Sequence, residues 1–302
     1  MRPRGPSPPR RWLNTARETG PPGKGRTRSR EKELPGSRQN VKREDSQMKR
    51  IAVFTGASSG MGREFVLRIT SEEKFDEVWL IARRTDRLKE VAEDIGTECR
   101  LLPYDLLDPR SAESYRGLLE AEKPDVEVLV NAAGFGLFGR TEEMDAARQL
   151  DIIELNSRAL AAMTLATLPF MHEGGRIYEL GSLSSFQPVP YINVYGASKA
   201  FVLSFSRALN CELKHEGRGI RVMAVCPGWV TTEFFDHAVS DDTISYYNRY
   251  YTPGQVVERA LRDMKRGRDV SVCGFQVRAQ VLLTKLLPHR WVMAIWCRQQ
   301  KK

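Results

Sequence analysis

From residue 50 onward, short apolar runs alternate with longer stretches in which apolar residues recur at helical spacing. The runs are RIAVFT, EVWLIA, CRLLPY, VEVLVN, GRIYELG, IRVMAVC and DVSVC. Each is short, rich in β-branched or aromatic residues, and separated from the next by an amphipathic segment, such as Phe65, Val66, Leu67 and Ile69 after the first. Strands that alternate with helices predict an α/β fold with a parallel sheet covered on both faces. Seven strands fit one Rossmann-type doubly wound domain, whose ligands gather at the carboxyl edge of the sheet.

Two parts of the chain depart from this pattern. Residues 1–47 hold 13 Lys/Arg, 5 Asp/Glu and 7 of the 16 prolines, with few apolar residues and no period. Such a segment cannot bury enough surface to fold, so a disordered basic extension is expected. It accounts for +8 of the net charge of +9, which leaves residues 48–302 nearly neutral and disfavours nucleic-acid binding by the folded part. At the other end, VRAQVLLTKLLPHRWVMAIWCRQQKK is apolar but interrupted by Lys285, Pro288, His289 and Arg290. It offers no span of about 20 residues for crossing a bilayer. Two short amphipathic helices divided at Pro288 are expected over 276–302. They either pack on the domain, meet another subunit, or lie on a membrane surface, with packing or oligomerisation favoured. The organisation expected is therefore 1–47, a catalytic domain over 48–275, and a helical extension over 276–302.

Composition narrows the chemistry. The five cysteines (Cys99, Cys211, Cys226, Cys273, Cys297) are dispersed, without a CxxC pair or a secretory leader, which suggests reduced thiols in a cytoplasmic protein and neither a disulfide framework nor a metal site. Two motifs then carry the functional reading. After the first strand comes TGASSGMG: Thr55, Gly56, Ala57, Ser58, Ser59, Gly60, Met61 and Gly62. A buried strand that breaks into glycines and continues as a helix is the setting of a dinucleotide fingerprint, in which the backbone approaches a pyrophosphate at the helix N-terminus. Far downstream, Tyr195 and Lys199 stand four apart in YGASK. On a helix they share a face, and an ammonium beside a phenol is expected to stabilise the phenolate, so that the pair moves a proton near neutral pH. The second strand ends in Arg83 and Arg84, about 20 residues past the glycines, where an NAD-type site would carry an acid. Positive charge there favours a 2′-phosphate and hence NADP(H) over NAD(H). Arg83 is expected to make the direct, forked contact and Arg84 to face solvent.

The order of the motifs resembles the classical short-chain dehydrogenase/reductase family from about residue 49 to residue 275. The glycine turn is followed by Asp105 after the third strand, by NAAG at Asn131 to Gly134, by Asn156, by Ser182 thirteen residues before Tyr195, and by Pro227 and Gly228 after the sixth strand. The resemblance implies catalytic roles for Asn156, Ser182, Tyr195 and Lys199. Ser182 would bind the substrate carbonyl and Tyr195 deliver the proton. Lys199 would also hold the nicotinamide ribose, and Asn156 would anchor a water relay behind it. Ser184 and Ser185 compete with Ser182 by type but not by spacing, and Ser184 is assigned to the pocket. The resemblance further assigns Asp105 and Leu106 to the adenine end, with a loop or helix-capping aspartate as the alternative. Asn131, Ala132 and Gly134 would lie along the cofactor, and Pro227, Gly228, Val230 and Thr232 would lie at the carboxamide, with Thr231 adjacent.

The aromatic stretch over 233–252 corresponds to the family's variable substrate region. Phe234, Tyr246 and Tyr250 are its candidates for the pocket, joined by Phe135 and Phe138 from the loop after NAAG, with Phe235, Tyr247 and Tyr251 nearby. Family chains begin near Met48, so residues 1–47 are expected to be irrelevant to catalysis. The reading is an NADP(H)-dependent reductase of an apolar ketone such as an oxosteroid or 3-oxoacyl compound, functioning as a homodimer or homotetramer. A non-catalytic sensor on the same fold is the alternative, although such proteins typically lack one of the four catalytic residues, and none is missing here.

Overall fold

The computed structural model describes residues 48–238, 244 and 249–301. The expectations for residues 1–47, Tyr246 and Tyr247 lie outside the described residues. All seven apolar runs form strands of one parallel sheet: β1 Arg50–Thr55, β2 Glu77–Ile81, β3 Cys99–Leu102, β4 Asp125–Asn131, β5 Arg176–Leu180, β6 Arg221–Val225 and, last in the sheet, β9 Val270–Ser271. The spatial order is β3-β2-β1-β4-β5-β6-β9. Between β6 and β9 a small two-stranded ladder pairs β7 (Trp229–Val230) with β8 (Tyr250–Tyr251).

The near-continuous burial of β1, β2 and β6 follows from the helices on both faces, which leave no solvated side for an alternating pattern. Ala52 and Phe54 face one way, onto α1 (Gly60–Glu72) and α8 (Pro253–Lys265). Ile51 and Val53 face the other, onto α3 (Pro109–Glu122), α5 (Leu160–Thr167) and α6 (Asn193–His215). Helix α2 (Thr85–Glu93) closes the outer edge beside β3. Strand order reverses between β1 and β4, the switch point at which a doubly wound sheet opens its ligand crevice.

Local chemistry sets two element boundaries that matter for the site. Helix α8 begins with a capping box: the Thr252 hydroxyl accepts from the Gln255 amide, and the Gln255 side chain accepts from the Thr252 amide. The helix that starts as α4 (Ala146–Ile153) does not run smoothly into α5; residues Glu154–Ala159 form a π turn between them. Such turns are uncommon inside helices and concentrate at functional positions, and this one contains Asn156.

The C-terminal stretch forms two helices, α9 (Phe275–Leu286) and α10 (His289–Gln299), divided at Pro288 as expected. Their inner faces pack against the body of the fold. Val277 touches the Gly228 turn, and the Trp296 indole donates to the Pro190 carbonyl at 3.0 Å. Trp296 joins Phe138, Val189 and Ile192 in a separate apolar cluster above the sheet edge, to which Phe234 and Phe235 of the short helix α7 (Phe234–Ala238) also contribute.

Candidate active site

The carboxyl ends of β1, β4, β5 and β6 open into a single cleft of about 840 Å³. Its floor at one end is the glycine turn. Gly56 has φ +65°, and a Cβ there would stand 2.7 Å from the Ala133 nitrogen of the neighbouring β4 loop. A Cβ at Gly62 would lie 2.1 Å from the Gly56 carbonyl oxygen. Only glycine permits this closeness of strand, turn and helix, which leaves a bare backbone cradle at the N-terminus of α1. The cradle fits a dinucleotide pyrophosphate, and Ser58, Ser59, Gly60 and Met61 also line it.

Not every residue expected along the cofactor faces the cleft. The Thr55 hydroxyl is buried and accepts from the Ala132 and Ala133 amides at 3.1 and 3.2 Å, so it braces β1 against the β4 loop. Asn131 is likewise turned inward. Its amide donates to Thr164 Oγ1 at 2.9 Å and to Glu179 Oε1 at 3.3 Å, because the last residue of a central strand points into the helix layer rather than over the edge. Ala132 and Gly134 do line the cleft, as do Pro227, Gly228, Val230 and Thr232. Thr232 reaches across to Gly60, with its methyl 3.3 Å from the position of a Cβ there.

Beside the glycine turn, Arg83, Arg84, Asp105 and Leu106, the residues expected at the adenine, all line the cleft. Asp105 accepts from the Leu107 amide at 3.1 Å, the loop-capping role held as its alternative, and this leaves its second carboxylate oxygen for a ligand. The expectation that Arg84 faces only solvent is corrected. Its guanidinium donates to Ser59 Oγ at 2.8 Å and pairs with Glu233 Oε2 at 3.0 Å. Arg84 is held there because β2 ends beside the glycine turn, within reach of both serines.

The residues expected to be catalytic gather around β5 and α6. Ser182 caps the 3-10 turn Leu183–Phe186; its hydroxyl accepts from the Ser184 amide at 3.2 Å, and the side chain lies beside the Tyr195 phenol, whose pKa it lowers. Ser185 is committed to structure: it accepts from the Ser182 amide and donates to the Lys199 carbonyl at 2.7 Å. Ser184 lines the cleft with its buried hydroxyl unpaired among the described residues. The three serines are thus separated by geometry, and Ser182 is the one against Tyr195.

Lys199 lies beside Tyr195, its Nζ 5.8 Å from the ring centroid, and donates to the Leu180 carbonyl at 2.7 Å. The expected depression of the phenol does not appear. Burial pushes Tyr195 up to about 12, opposed by the Ser182 hydrogen bond, because the ammonium is directed at Leu180 rather than at the phenolic oxygen. Burial also lowers Lys199 to about 8, against the opposing influence of Cys226 and Glu179.

Asn156 is fully buried behind the lysine rather than in the cleft. Its amide donates to the Phe135 carbonyl at 2.9 Å and to Ser198 Oγ at 3.1 Å, and its Oδ1 accepts from the Phe135 amide at 3.1 Å. The π turn is what swings it there, and it fixes the loop carrying Phe135 against α6.

The far wall of the cleft is largely apolar. Phe135, Phe138 and Phe234 line it as expected, with Phe234 and Tyr195 ring centroids 5.5 Å apart. Tyr250 does not line it. The ring sits outside, 5.6 Å from Phe235, because the β7–β8 ladder turns it away. The largest contribution the sequence did not disclose comes from α9 and α10, where Leu283, Leu287, Val292, Ile295 and Trp296 complete the wall. Their helical periodicity was visible; the face they turn inward depends on tertiary packing.

Comparison with known proteins agrees with this geometry. A family profile described as short chain dehydrogenase matches residues 50–243, more than half of the chain. Sulfoacetaldehyde reductase 2 of Chromohalobacter salexigens is 36% identical over 211 residues, covering 64% of this chain and 80% of that protein. An NADP-dependent 3-hydroxy acid dehydrogenase of Escherichia coli is 34% identical over 193 residues, covering 61% and 74%. Among solved structures, a Sphingobium yanoikuyae short-chain dehydrogenase in complex with NADPH superposes with a TM-score of 0.65 at 29% identity, over 82% of this chain and 93% of that one. A Burkholderia phymatum relative in complex with NAD shares the fold, with a TM-score of 0.68 at 21% identity over 78% and 92%. With glycine turn, switch point and Ser-Tyr-Lys corner in one cleft, and a family match along the same residues, the chain belongs to the short-chain dehydrogenase/reductase family of oxidoreductases.

Proposed function

We propose that this oxidoreductase interconverts an apolar ketone and its secondary alcohol with NADP(H), using Tyr195 as the general acid and base. The observation that carries the reading is that Ser182, Tyr195 and Lys199 converge beside an aromatic wall, in the same cleft as the glycine cradle. A bound NADPH would supply the hydride. Its pyrophosphate would rest on Gly56 to Gly62, Lys199 would hold the nicotinamide ribose, and the two arginines would face the 2′-phosphate. NADP named in two of the relatives supports that preference.

The chain's own groups do the rest. Ser182 donates to the substrate oxygen and fixes it beside Tyr195. A phenol held near 12 is a fully loaded acid at neutral pH, ready to protonate an alkoxide as charge develops. The Lys199 ammonium offsets the phenolate left behind. Asn156 acts through the Phe135 loop and α6, keeping the lysine and tyrosine in register. Phe135, Phe138 and Phe234 exclude water and select an apolar substrate, such as an oxosteroid or a 3-oxoacyl compound. A homodimer or homotetramer would use the outer faces of α5 and α6, where Leu165 and Phe201 are exposed.

The test is loss of cofactor absorbance with NADPH, and separately NADH, against oxosteroids, 3-oxoacyl thioesters and small ketones, with Tyr195→Phe alongside. Turnover with NADPH that falls by roughly 10²–10⁴ in the variant, with NADPH binding retained, is expected. Turnover untouched by the substitution would refute the role of Tyr195, and equal use of NADH would refute the arginine assignment.

A further inference from the structure

Helices α9 and α10 each bear two apolar stripes. One faces inward through Val277, Val281, Val292 and Trp296. The other faces solvent. Phe275, Leu282 and Leu286 recur at i, i+7 and i+11, which is one line along a helix, and Phe275 and Leu286 are 79% and 71% exposed. On α10, Trp291 and Ile295, one turn apart, are 54% and 50% exposed. Around these stripes the charges have one sign: residues 274–302 contain Arg278, Lys285, Arg290, Arg298, Lys301 and Lys302, and no Asp or Glu.

A helix that is apolar on two sides and cationic between them is not a solvated outer face. We propose that α9 and α10 dock this enzyme in the plane of an anionic lipid surface, with Phe275, Leu282, Leu286 and Trp291 seated at the headgroup boundary and Arg278, Lys285, Arg290 and Arg298 against lipid phosphates. The docking is interfacial, since no helix among the described residues is long and apolar enough to cross a membrane. Charge decides between lipid and a second copy of the chain. A two-fold contact through this face would set cations against cations with no acid on either side, whereas an anionic bilayer supplies the missing countercharge. The Arg290 guanidinium stands 6.0 Å from the Trp291 ring centroid, the pairing of base and indole that suits an interface. The stripe is also continuous with the cleft, because Leu283 and Ile295 are both exposed and line its mouth.

Residues 1–47 are basic as well, so the test must separate them from the helices. The full chain is sedimented with vesicles of phosphatidylcholine alone and of phosphatidylcholine mixed with phosphatidylglycerol, beside the variant Leu282→Ser/Leu286→Ser/Trp291→Ser. Partition into the anionic vesicles, reduced roughly tenfold or more in the variant, is expected. The three side chains point outward, so circular dichroism and the oligomeric mass stay unchanged. A second variant, Lys285→Glu/Arg290→Glu, loses the salt-sensitive part of the binding while keeping Phe275, Leu282, Leu286 and Trp291, and it serves also if the first folds poorly. Absence of binding by the wild-type chain overturns the proposal. So does binding by both variants equal to wild type, which would assign it to residues 1–47. A fall in oligomeric mass in the serine variant without any vesicle binding would assign the stripe to a second copy instead.

Discussion

Glu179 is a buried acid in the middle of the sheet, the penultimate residue of β5, the strand that delivers Ser182. Its Oε1 lies 2.7 Å from Thr164 Oγ1 and accepts from Asn131, while Oε2 is buried without a partner among the described residues. Burial pushes its carboxyl up to about 7, only partly opposed by those hydrogen bonds and by the Lys199 charge. In the unfolded chain the same group titrates at its ordinary value of 4.5. Between those values the folded state holds the extra proton, so stability must fall as pH rises from about 4.5 to about 7 and level off above it. The loss is on the order of 3 kcal/mol. Urea midpoints measured across that range should fall for the wild type, and the slope should vanish in Glu179→Gln, which keeps an acceptor for Thr164 and Asn131. An unchanged slope would mean that Glu179 is ionised throughout. Nothing in a glutamate flanked by Tyr178 and Leu180 announces this in the sequence. The burial that raises its pKa, and the Thr164 and Asn131 hydrogen bonds that oppose it, exist only once the fold brings β4 and α5 against it.

At the scale of the element, the parts most legible in the sequence were those in which one segment supplies both the pattern and the partner. The β1–turn–α1 unit declared itself because its glycines are needed locally, and YGASK because a helix puts i and i+4 together. The elements that stayed hidden depend on distant contacts. The π turn at Glu154–Ala159 has no sequence signature, yet it is what sends Asn156 behind Lys199. Tyr250 looked like a pocket residue by composition, but the β7–β8 ladder holds it outside. Helix α10 is the clearest case: its amphipathic period was readable, its role as a wall of the cleft was not. Trp296 fastens it, through the Pro190 carbonyl and the cluster with Phe138 and Ile192. Truncating that side chain in Trp296→Ala should cost about 3 kcal/mol of stability. It should also raise KM for an apolar ketone more than it lowers kcat, with the Kd for NADPH unchanged, since the glycine cradle lies at the other end. Equal loss of NADPH binding would show that α10 supports the whole cleft.

For the whole molecule, charge and architecture divide at the same place. The net charge of +9 resides almost entirely in residues 1–47, whereas residues 48–302 carry the sheet, both helical layers and the cleft. A chain starting at Met48 should therefore keep the thermal midpoint and the kcat/KM of the full-length protein for the same ketone. A drop in either would give the extension a part in folding or catalysis.

The cleft also has a consequence for how the protein comes into being. Its walls are drawn from strands spread over the chain, from the turn after Thr55 to the region beyond Val225, and it is finished only by Ile295 and Trp296 near the terminus. Because β1 lies between β2 and β4, it stays half-paired until residue 125 has been made. Long-range parallel pairing of this kind is slow, and it leaves strand edges open meanwhile. Ser182, Tyr195 and Lys199 meet the glycine cradle only once β5 and α6 have joined β1 and β4, so the onset of activity during synthesis can serve as a clock for that assembly.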